Sequence, residues 1–188
     1  MSKKYIETTS LLSALKDEFK EKLLSEIKGF NYFVSDLVLA EIHNMDEPDR
    51  EYVARLLQEI NPPVLKIQEE DLEFGRKYVY NKVLESKDYP LGVHYLIASK
   101  NNAVIVTCLK KLLELKDGLE RINNYFKLPT PDISIIGHYE NESLDRIRVS
   151  IGRLVEAQGE KKLAIVIRES SEFFIREKKL SLIRREKV

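Results

Sequence analysis

Cysteine is almost missing from this chain. Cys108 is the only one in 188 residues, which excludes an internal disulfide framework. Tryptophan is absent, and glycine (7) and proline (6) are scarce, so regular structure joined by short loops is expected. No charge excess exists either: 31 Lys and Arg balance 31 Asp and Glu. A net charge of zero excludes a global field that draws in nucleic acid, so any such site has to be local. No apolar run is long enough to span a membrane. The opening Met1-Ser2-Lys3-Lys4 leads straight into an apolar segment, so no leader is expected and a cytoplasmic protein is.

What is present is a hydrophobic content of 43%, ample for one core, with 33% charged residues. The organising stretch is Lys4-Tyr5-Ile6-Glu7-Thr8-Thr9-Ser10. It reads as a short buried strand ending in a carboxylate, with three hydroxyls capping a helix from Leu11 to Lys28. In open parallel sheets, ligands bind beyond the carboxyl ends of strands, which is where Glu7 stands. Phe30–Val34 reads as a second strand, and Ser35 as the cap of an apolar helix to His43. Glu41 is the one carboxylate inside that apolar run. Further helices are expected to Ile60, over 69–85, and from Pro90 to Lys100, with Val64–Ile67 a short extended piece. Ala103–Cys108 reads as a buried parallel strand, and Ile133–Ile136 as the last strand, with none after Asn141. Strands alternating with helices predict an α/β fold with a central parallel sheet. Beyond Gly137, Leu144, Ile147, Ile151, Leu154 and Val155 make one helical stripe ending at Gly159. Leu163, Val166, Ile167, Ser170, Phe173 and Phe174 make a second. The expected division is residues 1–137 and a helical hairpin over 138–188 with a basic end.

Several of these strings resemble one family. Tyr5-Ile6-Glu7-Thr8-Thr9 resembles the opening of PIN-domain proteins, in the VapC-like toxin branch that begins with Glu-Thr. Val34–Ile42 is similar to the family's second motif, with Glu41 as its acid. His94–Asn102 is similar to its H-I-A-I-A helix and following Asn-Asn, and Ile122-Asn123 and Thr130-Pro131 to its closing pieces. The likeness spans roughly residues 3–137 and implies a PIN-like three-layer α/β/α fold. It also implies an Mg²⁺- or Mn²⁺-dependent ribonuclease, in which converging carboxylates hold an ion that activates water.

Carried over by position, Glu7 and Glu41 are the first two acids and the implied metal ligands. The third acid position is Leu91, and the fourth polar position is Leu109. Leucine ligates no cation and dries the cleft. The resemblance therefore implies a protein whose nuclease activity is lost or much weakened, and which acts by binding RNA or protein. One alternative is an active endoribonuclease using Glu7, Glu41 and a shifted Asp88, with Mg or Mn as cofactor; the degenerate form needs none. Another is a structural assembly module.

Plainer readings stand beside these. Glu7 also reads as a strand-end acid binding helix N–H groups, His94 as a residue without chemistry, and Cys108 as a small buried apolar residue. Arg176, Lys178, Lys179, Arg184 and Arg185 read as a solvated helix end, exposed from Lys178 onward, or as an RNA grip. The apolar stripes are expected to pack on the domain or on a second copy. A homodimer, an antitoxin-like partner and RNA are the expected partners, and a membrane is not.

Overall fold

The computed structural model describes residues 2–188. Six strands form one all-parallel sheet: β1 (Lys3–Ile6), β2 (Asn31–Ser35), β3 (Val64–Leu65), β4 (Ala103–Thr107), β5 (Ile133–Ile135) and β6 (Arg184–Arg185). Their order is β5-β4-β1-β2-β3-β6. The central strand β1 is buried on both sides, with Tyr5 opposite Phe33 of β2 and Ile105 of β4. From β1 the chain steps through β2 to β3, then crosses back to β4 and β5. Between β1 and β4 the direction of winding reverses, and the crevice at such a reversal is where α/β sheets bind ligands.

Right-handed crossovers assign the helices to layers. On one face lie α1 (Thr8–Ser13), α2 (Asp17–Ile27), α3 (Asp36–His43) and α4 (Asp49–Ile60). The other carries α5 (Glu69–Tyr80), α6 (Tyr89–Lys100), α7 (Lys111–Glu114) and α8 (Lys116–Tyr125). The three-layer α/β/α architecture is the one the sequence implied.

Three element boundaries differ from expectation. The expected helix from Leu11 to Lys28 starts at Thr8 and breaks between Ser13 and Asp17. The helix expected to reach residue 85 stops at Tyr80, and a 3₁₀ turn, Ser86–Asp88, precedes α6. A strand exists after Asn141. Val64 N–H donates to Ile183 O at 2.9 Å and Lys66 N–H to Arg185 O at 2.7 Å, seating β6 at the sheet edge.

The last helix, α9 (Glu142–Glu177), has 36 residues but is not straight. Unbroken, it would be about 54 Å long. Yet Asn141 reaches Asp49 at one end and Lys178 reaches Glu47 at the other, two residues apart where α4 begins. The fold-back is at Gly159, whose φ of 85° and ψ of 174° suit glycine. Two helical arms therefore meet at Gly159. The inward residues are Leu144, Arg148, Gly152 and Val155 on the first arm, and Leu163, Ile167, Ser171 and Phe174 on the second. Phe173, placed by periodicity on the apolar stripe, instead faces outward and is 53% exposed. Leu144, Val155, Leu163, Ile167 and Phe174 join the same apolar core as Tyr5, Ile6 and Ile105. Burying Phe174 alone stabilises by about 1.5–3 kcal/mol, so the hairpin is held on the sheet unit by its own apolar faces.

Candidate functional site

The crevice beyond β1 and β4 holds a buried cluster of charges. Glu7 follows β1, and its N–H still bonds Val106 O at 3.0 Å. Its carboxylate caps α1, accepting the Thr9 N–H at 3.1 Å. The same carboxylate accepts the hydroxyls of Thr9 at 2.5 Å and of Thr107, the last residue of β4, at 2.7 Å. Thr8, Thr9 and Ser10 are therefore not caps, as the sequence suggested. They sit in the first turn and direct their hydroxyls to Glu41, Glu7 and Val106 O.

Glu41 arrives from α3, on the apolar face that made it stand out in sequence. Its Oε1 accepts the Thr8 hydroxyl at 2.6 Å and meets His94 Nε2 at 2.7 Å. An ionised carboxylate only accepts, so Nε2 carries the proton and donates. His94 Nδ1 meets the Tyr5 hydroxyl at 2.6 Å, and that hydroxyl meets Ser35 Oγ at 2.8 Å. Burial pushes the Tyr5 hydroxyl well above its usual range, so it stays neutral.

Arg148, from the first arm of α9, lies between the two acids. Its Nε donates to Glu41 Oε2 at 2.7 Å; its Nη2 donates to Glu41 Oε1 at 3.3 Å and also to Glu7 Oε2. All three side chains are buried, with Glu7 and Glu41 at 0% and Arg148 at 4% exposure. Burial pushes both carboxyls up, but Arg148, His94 and the hydrogen bonds together outweigh it. Glu7 ends below its usual range, and Glu41 falls to about 2. Burial also opposes the Arg148 charge, and the two carboxylates more than restore it. One guanidinium meets two carboxylates, so the second negative charge rests on the His94 N–H and three threonine hydroxyls.

Close packing brings Arg148 to this depth. A Cβ at Gly152, one turn further along α9, would stand 2.3 Å from the Ser86 carbonyl oxygen. Glycine lets the arm lie directly on the 3₁₀ turn. Outside Arg148 a cleft of about 330 Å³ remains, lined by Leu91, Leu109, Asp88, Lys111 and Asp145. Leu91 and Leu109 thus face the cleft at positions where the resemblance puts polar groups. Asp88 does not join Glu7 and Glu41; it pairs with Lys111 at 2.8 Å.

Glu7, Glu41 and His94 offer three ligand atoms within 4.8 Å of one another. A hard divalent ion does not fit them with Arg148 in place. Each of the four carboxylate oxygens already accepts a hydrogen bond. The ion would also face a fixed cation and lack room for the waters it keeps.

The basic end does not converge on this cleft. Lys178 pairs with Glu47 and Glu51, and Arg184 with Asp36 and Glu172, so the end is not simply exposed from Lys178 onward. Arg176 lies over the Phe173 ring, and Lys179 and Arg185 face solvent.

Sequence reasoning passed over Arg148 and assigned His94 no chemistry. Both carried a signal: Arg148 lies four residues after Leu144 and seven before Val155, on the buried stripe, and His94 sits in a helix buried almost throughout. Fold and site together define a three-layer α/β/α protein with an acid pair neutralised from within. Comparisons with family models, curated proteins and solved structures find no match.

Proposed function

We propose that this chain is a PIN-like domain, related to VapC-type toxin ribonucleases, whose nuclease activity is lost or much weakened and which acts by binding RNA or protein. The observation that carries this reading is Arg148, whose guanidinium bonds both Glu7 and Glu41 where the resemblance implies a metal ion. Leu91 and Leu109 at the cleft and the pairing of Asp88 with Lys111 support it, because the shifted acid set does not assemble. In active relatives an antitoxin segment covers the cleft from outside. Here the first arm of α9 covers it from within the same chain, and the cleft needs no antitoxin-like partner.

The side chains keep a structural task under this reading. Glu7 and Glu41 anchor the arm through Arg148, and Thr9 and Thr107 tie that anchor to the ends of β1 and β4. Contacts with RNA or protein then fall outside the crevice, where Arg176, Lys179 and Arg185 are free of ion pairs among the described residues. The test is to incubate the purified chain and Mn²⁺ with unstructured RNA. The RNA is expected to stay intact; robust cleavage that disappears in a Glu7→Gln variant would restore the metal-dependent endoribonuclease reading instead.

A further inference from the structure

A second cavity, of about 420 Å³, lies away from the acid crevice and shares no residue with it. Its size is that of a small-molecule site. Four lysines line it, and each comes from a different segment. Lys3 opens β1, Lys66 follows β3, Lys100 ends α6 and Lys187 lies beyond β6. No one element carries two of them, so they are not the solvated face of a helix. The charges that answer them are few. Asp71 is the buried acid of the cavity and is already engaged: it pairs with Lys100 and accepts the Gln68 N–H at 2.9 Å. Glu186, on the exposed tail, is the other acid. Among the described residues Lys66, Lys187 and Glu186 enter no ion pair. Lys3 and Lys66 are half-buried, which restricts their stems, so less freedom is lost when their ammonium groups meet a ligand.

We propose that this cavity binds a small polyphosphate, two or more linked phosphates either free or carried on a nucleoside. Positive charge gathered from four segments around so small a volume matches a ligand that concentrates several negative charges on one group. Lysine suits phosphate as a compact charge with rotatable donors. Among the described residues no arginine lines the cavity to read a carboxylate through two parallel bonds. The rest of the lining leaves room for an organic appendage. Leu65 and Ile97 supply an apolar wall, and Gln68, Asn101 and Asn102 supply amides. Asn101 donates its side-chain N–H to the Ile97 carbonyl at 2.8 Å, which leaves its side-chain oxygen to accept from a base amino group. A nucleic-acid strand is the poorer occupant. The tail walls the cavity, fastened by Lys3 to the Val188 oxygen, and gives a long chain no run of cations to follow.

Calorimetric titration of the full chain with inorganic pyrophosphate and with ADP, without divalent ions, tests the proposal. One equivalent of each is expected to bind, more weakly as salt rises. Tighter binding of ADP assigns the site to a nucleotide; ADP no tighter than pyrophosphate assigns it to free polyphosphate. Lys66→Ala and Lys187→Ala are each expected to weaken binding about tenfold. Glu186→Gln is expected to tighten it about threefold, a gain that a loss of folding does not produce. The proposal is overturned if neither probe binds at millimolar concentration, or if both lysine variants bind as the native chain does. It is overturned as well if labelled oligouridylate takes the site in preference to ADP.

Discussion

Two groups of charged residues in this molecule obey opposite rules. In the crevice beyond β1, every carboxylate oxygen of Glu7 and Glu41 has a partner, and the partners come from both ends of the chain. At the cavity beside Lys3, Lys66 and Lys187 have no ion-pair partner among the described residues, although Glu186 lines the same space. Water explains the difference. A buried ion left alone is worth several kcal/mol of instability, so burial forces a complete set of partners. An exposed ion is satisfied by solvent and can be kept for another molecule. A matched cluster is therefore a closed one, and the unmatched cavity is the place to look for a ligand.

The largest expected effect comes from breaking the matched group. Arg148→Met leaves two buried carboxylates facing each other and should destabilise the fold by about 3–5 kcal/mol, read from denaturant midpoints. Combining it with Glu7→Gln and Glu41→Gln should return much of that loss, since no unpaired charge then remains. If Arg148→Met alone is harmless, the guanidinium is not the counter-charge described here.

Acid should reach the same cluster more gently. Glu41 falls from 4.5 to about 2 in the folded chain, and Glu7 is lowered too. A depressed carboxyl contributes stability that is fully present above about pH 4.5 and is lost as pH falls toward 2; for Glu41 this is about 3 kcal/mol. In Arg148→Met the leading opposing charge is gone and burial raises both carboxyls. The stability gap between native and variant chains should therefore narrow as pH falls. A gap independent of pH would contradict the assignment.

At the small end, Lys66→Ala at the cavity should change the stability of the chain by no more than about 0.5 kcal/mol. A larger loss would show that Lys66 is bound within the fold, and the contrast between the two regions would fail.

Much of this arrangement was legible in the sequence because it follows from periodicity. The continuous apolar run Ala103–Thr107 marked β4, and Glu41 in an otherwise apolar helix marked a buried acid. The fold-back at Gly159 was legible from a glycine between two stripes. β6 was not: Arg184 and Arg185 sit in a basic string with no apolar alternation. Backbone bonds to the β3 segment and the pairing of Arg184 with Asp36 make the strand, and neither is local. Arg148 stayed hidden for a related reason. A cation on a helix ordinarily faces water, and only the two acids more than a hundred residues earlier make its burial favourable.

Under the function proposed above, Arg148 stands between Glu7 and Glu41 where the resemblance implies a divalent ion. Calorimetric titration of the native chain with Mn²⁺ at neutral pH tests it most directly. No stoichiometric heat of binding that depends on Glu7 is expected. One equivalent of Mn²⁺ taken up by the native chain, and lost in Glu7→Gln, would contradict it.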